Sequence, residues 1–455
     1  MRSNRDGAPR GHDQQMTTAA VQIDDAPLGA FHRRLAVYSC GGPFCDGYIL
    51  GIIAIALTPL ARELGLSAGW QGLIAAAVLF GMFVGGALFG YLTDVIGRQA
   101  MYTLDLSVLV VASVAQFWVH DKWVLFGLRF ILGLAIGADY PIASALLSEF
   151  APKQHRGRLL ASMIGAWWLG YAVSFLCGYL FFQTTGSSWR WMLASSALPA
   201  AIVLLLRWGT PESPRWLMSK GRAQEARAIV ERHFGGNYEL DDRPQPRTTW
   251  RAIFRGGYGR RTLFVCLFWS CQVVPTFAIY TFAPQLLREL GQPNPMLGAA
   301  LLSLFFLAGV FPAILLIDRI GRRPLLTVPF AVTGLTLALL ALVPIDRTWI
   351  IALCFITFAL FNAGSSVLQW VYPSELFPTA VRATALGFAT SVSRVGAAVG
   401  TFLLPLGLQH LGVRSVMLTM AGVSFAGWVI SLRSGPETLG LSLNTASAIE
   451  GSGSS

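Results

Sequence analysis

Apolar stretches of about twenty residues recur along nearly the whole chain, separated by short polar turns. A helix rising 1.5 Å per residue needs about 20 such residues to cross the hydrocarbon core of a bilayer. The pattern predicts spans near residues 36–60, 70–92, 101–119, 123–147, 159–182, 190–208, 262–286, 296–318, 325–344, 349–371, 383–408 and 413–432. One long polar segment, 209–261, interrupts the series after the sixth span. Within it, residues 219–234 carry Ala, Glu and Arg at helical spacing and predict a short surface helix. The fold class expected is an all-α membrane protein, with twelve transmembrane helices in two six-helix bundles. The predicted organisation is an N-terminal tail (1–34), a first bundle (35–208), a central loop (209–261), a second bundle (262–432) and a C-terminal tail (433–455). Small residues at Gly81 and Gly85, and at Gly133 and Gly137, predict close helix packing.

Composition agrees with that pattern. The 455 residues are 54% hydrophobic and 13% charged, against about 25% charged in soluble domains. The net charge of +11 does not mark a nucleic-acid binder, because the basic residues form no single patch with interleaved aromatics. They cluster between spans, above all in 209–261, which holds Lys220, Arg222, Arg227, Arg232 and Arg251 among others. Such loops face the cytoplasm, so both termini are expected on the cytoplasmic side. The six cysteines lie in apolar runs, at spacings that suit neither metal nor a disulfide framework. No cleavable leader is expected in residues 1–34.

The chain repeats itself internally. Ser148-Glu149, Pro152 and Arg156 recur 226 positions later as Ser374-Glu375, Pro378 and Arg382. Asp94, Gly97 and Arg98 recur 224 positions later as Asp318, Gly321 and Arg322. Two motifs repeating in one order at nearly one offset imply a duplicated six-span unit. In such transporters the site lies between the repeats.

These motifs resemble the major facilitator superfamily, its sugar-porter-like or metabolite:proton symporter branch in particular. Gly90, Asp94, Gly97, Arg98 and Gln99 are similar to the family's loop after the second span, except at the last position. Pro211-Glu212-Ser213-Pro214-Arg215-Trp216-Leu217 is the string that follows the sixth span in sugar porters. Pro436-Glu437-Thr438-Leu439-Gly440 resembles the string after the twelfth. The resemblance implies a monomeric secondary active transporter in a bacterial-type cytoplasmic (inner) membrane. It would work by alternating access on a small molecule and protons, without cofactor or metal. It also implies a cytoplasmic gate built from Asp94, Arg98, Glu149, Arg156, Glu212, Arg215, Asp318, Arg322, Glu375 and Arg382. These charges are expected to pair across the two bundles when the gate is shut. Exposed pairs contribute only about 0–1 kcal/mol each, which suits a gate that must open.

Ionisable residues inside spans are disfavoured by about 2.5–3.5 kcal/mol and mark function. Asp46, Arg129, Asp139 and Arg394 stand out. Asp46, Arg129 and Asp139 are the candidate proton-coupling residues, with Arg129 the expected counter-ion of Asp46. In sugar porters the partner acid stands where this chain has Ile49, so Asp46, one turn earlier, is the shifted candidate. Arg394 stands where sugar porters have an aromatic, while Phe277 and Tyr171 replace two of their hydrogen-bonding residues. Gln272 and Trp370 are retained. Candidate substrate-binding residues are Arg394, Gln272, Tyr140, Tyr171, Trp370 and Gln369. Arginine's planar fork suits a carboxylate or phosphate. The favoured reading is proton-coupled import of an organic or sugar acid, with a sugar or polyol next. An exporter or a non-transporting sensor on the same fold are the alternatives. The chain carries no P-loop and no His-Glu-x-x-His or Gly-x-Ser-x-Gly motif, so no enzyme is expected.

Overall fold

The computed structural model describes residues 21–22, 27–150, 155–184, 188–207, 210–234, 238–239, 250–255, 257–377 and 379–439. Among these the chain is almost wholly helical. The first five spans are Ala30–Glu63, Ala68–Ile96, Arg98–Ala115, Lys122–Phe150 and Arg156–Thr184. The sixth is two pieces, Trp189–Ala194 and Ala197–Arg207. Two short helices follow, Pro214–Ser219 and Ala223–Phe234, the second matching the predicted surface helix. The seventh span, Tyr258–Thr281, continues beyond Phe282 as Ala283–Glu289. The eighth and ninth are Pro295–Ile320 and Arg322–Leu342. The tenth is Thr348–Ser366 with Leu368–Leu376. The run Thr379–Ser434 holds the last two, broken at Gly412 where φ is 78°. A two-residue parallel pairing joins Val21–Gln22 to Tyr238–Glu239.

Ten helical runs are long and apolar enough to cross a membrane among the described residues. The last of them is the eleventh and twelfth spans together. The fourth span, Lys122–Phe150, adds one more apolar helix, which carries Arg129 and Asp139 in its interior. Twelve crossings result, as the periodicity predicted. Large apolar side chains such as Leu198, Leu205, Leu315 and Leu335 point outward toward lipid. Trp118, Trp123 and Trp349 are exposed at span ends, where amphipathic rings sit at a membrane–water interface.

Glycine decides the tightest contacts. The second and fourth spans touch backbone to backbone, Gly81 lying against the Phe130 carbonyl and Gly133 against the Val78 carbonyl. A Cβ at either position would overlap main chain. Dispersion contact between closely approaching helices is the main attraction available in lipid. The chain reverses between the second and third spans at Gly97, φ 111°, and between the eighth and ninth at Gly321, φ 98°. A residue with a Cβ is strained there. The two turns are copies, as the repeated Gly-Arg motif implied.

Candidate functional site

Two polar centres lie inside the helical body. The first belongs to the first half. Asp46 (first span), Asp105 (third) and Asp139 (fourth) are buried, and so is Arg207 at the end of the sixth. The Arg207 guanidinium lies 3.6 Å from Asp139 and stacks 3.4 Å from the centre of the Tyr102 ring. Its Nε donates to the Tyr38 carbonyl at 2.6 Å. Gly42, one turn before Asp46, leaves the space that the Asp139 carboxylate fills. Asp46 lies within electrostatic range of Asp139, Asp105, Arg207 and, from the second half, Arg394. Arg394 (eleventh span) is 6% exposed and its guanidinium sits 5.5 Å from the Phe277 ring centre.

The second centre belongs to the second half. Asn362 Oδ1 accepts from Thr276 at 2.8 Å, Tyr280 at 2.9 Å and Gln272 Nε2 at 3.3 Å. Gln369 Nε2 donates to Gln272 Oε1. An aromatic layer joins the halves over this network. Trp167 meets Phe277 edge-on at 6.1 Å, Trp168 stacks on Phe306 at 5.6 Å, and Tyr171 packs on Tyr280 at 5.5 Å. Trp168 Nε1 donates to Ser366 Oγ across the halves at 3.1 Å.

Several expectations need correction against this geometry. Arg129 is not the counter-ion of Asp46. It is buried in the fourth span with its Nε donating to the Ile74 carbonyl at 3.2 Å. Ten residues, about 15 Å of helix, separate it from Asp139. The cations that reach Asp46 are Arg207 and Arg394. Although Phe277 and Tyr171 replace two hydrogen-bonding residues, Asn362, Thr276, Tyr280, Gln272 and Gln369 form one uncharged network. Tyr171 belongs to the aromatic layer, with its hydroxyl making no hydrogen bond among the described residues. Sequence reasoning passed over Asp105, Arg207 and Asn362. Arg207 is the last residue of its helix, where a charge raises no alarm, Asp105 lies inside the third span and was passed over, and Asn362 carries no charge at all.

Among the described residues, several of the gate residues make contacts within one half. Arg322 makes a bidentate contact with Glu375, the shortest distance being 2.7 Å. Glu375 also accepts from Thr438 Oγ1 at 2.5 Å. Glu212 accepts from the backbone N–H groups of Arg98 and Gln99, and Arg98 donates to Ser213 Oγ at 3.4 Å. Arg382 donates to the Phe377 carbonyl at 3.2 Å. The side chains of Tyr140, Trp370, Asp94, Glu149, Arg156, Arg215 and Asp318 lie outside the described set.

The family model for "Sugar (and other) transporter" matches residues 34–449. The chain belongs to that family. It is therefore a multi-pass membrane transporter of the major facilitator type and not an enzyme. A metabolite transport protein of Escherichia coli K12, YaaU, is 41% identical over 424 residues, covering 92% of this chain and 96% of its own length. The inner membrane metabolite transport protein YgcS of the same organism is 37% identical over 438 residues, covering 96% of this chain and 98% of its own. Among solved structures, the xylose transporter XylE from E. coli superposes with a TM-score of 0.77 at 21% identity, over 90% of this chain and 99% of that one. At that identity the likeness speaks to the fold. As a member of this family the chain moves a sugar or other metabolite across a membrane.

Proposed function

We propose that this transporter imports a small organic anion, an organic or sugar acid, together with protons. It would do so by alternating access in a bacterial inner membrane, with both termini and the Arg-rich central segment on the cytoplasmic side. The observation that carries the reading is the approach of Arg394, from the second half, to within electrostatic range of Asp46 in the first. A buried guanidinium favours a carboxylate or phosphate, with which it makes bidentate charge-assisted hydrogen bonds. An acid in the first span facing that cation supplies a group able to exchange a proton as the halves move. Anion and proton then compete for, or share, one electrostatic centre. That is the minimum needed to link their fluxes.

The network around Asn362 favours a second reading, a neutral sugar or polyol held by hydrogen bonds beneath the aromatic layer. The two readings separate in one experiment. Purified protein is screened by thermal shift against sugar acids, aromatic acids, phosphate and neutral sugars, in wild type and in Arg394→Ala. The anion reading expects acids to bind, and Arg394→Ala to weaken them at least about tenfold, since a hydrogen bond to a charged group contributes about 1.5–3 kcal/mol. Equal weakening of acid and neutral ligands would overturn it. For coupling, Asp46→Asn in proteoliposomes should abolish accumulation driven by a pH gradient while sparing exchange. Accumulation that still follows the gradient would remove Asp46 from the mechanism.

A further inference from the structure

The first half holds more buried acid than a single coupling carboxylate requires. Asp46, Asp105 and Asp139 come from three different spans and converge on one guanidinium of their own half, Arg207. Both oxygens of Asp46 and Oδ2 of Asp105 are buried without a hydrogen-bond partner among the described residues, while Asp139 stands beside Arg207 and Tyr102. Asp105 Oδ1 accepts only from the N–H of Leu106. The other groups facing the cluster among the described residues are Cys40 and Cys45 on the first span, Tyr102 on the third and Arg394 on the eleventh. Three carboxylates therefore face one fixed cation, plus a second cation that belongs to the opposite half.

We infer that the proton site is this whole cluster, with Asp105 as a second proton-holding residue and Arg207 as the residue that positions and balances it. The inference rests on the proton-coupled reading above and names the groups that carry it out. Three buried carboxylates within electrostatic range of one another, in a medium of low dielectric and beside fewer cations, cannot all be ionised. With Arg394 near, two cations oppose three acids. When the halves part, Arg394 leaves with its own bundle and one cation opposes the same three acids. The difference is made up by a proton from water, which converts one carboxylate to a carboxylic acid. Its return to water accompanies the return of Arg394. A metal ion does not fit in place of the proton: Arg207 already stands among the acids, and no group of acidic, His or Cys side chains with metal-holding geometry occurs among the described residues.

Arg207 also ties the cluster to the loop that joins the halves. Asp105 is seven residues past Arg98, about 10 Å along the third span. The exit of the sixth span grips that helix twice, through the Arg207 guanidinium on Tyr102 and through Glu212 on the first amides. The acid cluster and the turn at Gly97 thus move as one body, and Arg394 moves relative to both.

The test is an infrared pH titration of the purified full-length protein. It follows the C=O stretch of protonated carboxylic acids in wild type, Asp46→Asn, Asp105→Asn, Arg207→Gln and Arg207→Lys. Asp105→Asn is expected to lower the amplitude of the titrating band. Arg207→Gln should move its midpoint upward by about one pH unit or more, because loss of a cation favours the protonated acid. Arg207→Lys, which keeps the charge, should stay near wild type, and it serves if the glutamine variant does not fold. A role confined to packing would move none of these titrations. Superimposable curves for Asp105→Asn, Arg207→Gln and wild type overturn the inference. If Asp46→Asn alone lowers the band, the cluster fails and single-acid coupling survives. If no variant alters it, the proton-coupled reading fails as well.

Discussion

Glu212 and Glu437 occupy equivalent places in the two halves of the molecule. Glu212 accepts from the backbone N–H groups of Arg98 and Gln99, both at 3.1 Å. Glu437 accepts from those of Arg322 and Arg323, at 2.9 and 3.0 Å. Each carboxylate thus covers the first amides of a span that begins just after a glycine of positive φ. Those amides have no partner within their own helix, and the helix dipole favours a negative charge beside them. A Cβ on Gly97 or Gly321 would come within 2.7 or 2.6 Å of the respective carboxylate. The glycine therefore supplies the turn and also leaves room for the cap. The two glutamates are 225 positions apart, in step with the repeated loop motifs, so the strings after the sixth and twelfth spans are themselves a third pair of copies.

A pH dependence follows from this cap. Burial pushes the Glu437 carboxyl up, and four backbone N–H groups, those of Arg322, Leu439, Arg323 and Thr438, together bring it below its ordinary value. A carboxyl depressed by folding contributes stability that is present above its unfolded pKa and lost as pH falls through the folded one. Thermal unfolding of the wild type should therefore lose this contribution on acidification below about pH 4.5. Glu437→Gln should unfold about 1 kcal/mol more easily at neutral pH and show a flatter acid limb. If the two acid limbs coincide, the cap contributes nothing.

Trp168 and Ser366 join the halves inside the aromatic layer by a direct hydrogen bond of 3.1 Å. A net contribution of about 0.5–1.5 kcal/mol is expected for such a bond. Trp168→Phe and Ser366→Ala should each lower stability by that order. The double variant should fall short of their sum, because both remove the same bond. Strict additivity in a thermal double-mutant cycle would mean that the bond does not form in the membrane protein.

Span number, the duplicated architecture and the short surface helix were all legible in the apolar pattern and its repeated turns. A period and a length suffice for those, since every backbone group in lipid must be satisfied within its own helix. Partners inside the membrane were not legible. Arg129 and Asp46 belong to the right spans, yet helix rotation and depth leave Arg129 against Ile74 and bring Arg207 and Arg394 toward Asp46 instead. Which face of which helix meets its neighbour is a tertiary fact with no one-dimensional signature. Asn362 was missed for a different reason. An uncharged amide among Phe361, Ala363 and Gly364 perturbs the hydropathy pattern too little to be noticed, although three donors converge on it.

That convergence makes Asn362 a sensitive uncharged position in the second half. Asn362→Ala takes the side-chain acceptor from Tyr280, while Thr276 keeps the Gln272 carbonyl and Gln272 Nε2 keeps the Asn362 backbone carbonyl. A buried donor left without a partner costs about 1–3 kcal/mol. The variant should be destabilised by about that much, through the Tyr280 hydroxyl. Asn362→Asp restores the acceptor geometry and should recover ligand binding only for neutral substrates, since it adds negative charge. Equal thermal stability of Asn362→Ala and wild type would show that water takes the place of the amide.

The end of the molecule opposite the Arg-rich segment is closed by main chain. Gly72, near the start of the second span, lies against the carbonyl of Phe402 in the eleventh, with no space for a Cβ between them. Just outside this seam is a cleft of about 360 Å³ lined by Ser67, Gln71, Gln285, Glu289 and Gln409. A bulky residue at position 72 cannot be absorbed by a side-chain rotation, because the obstacle is backbone. Gly72→Trp must therefore wedge the halves apart here, while the cores of both bundles, which it does not touch, stay packed. Exchange in proteoliposomes should drop more than about tenfold, the loss expected when closure is set back by 1.4 kcal/mol or more. Spin labels at Ser67 and Gln409 should report a longer separation than in wild type. A variant that keeps both the exchange rate and the label distance would show that transport does not pass through this closed seam.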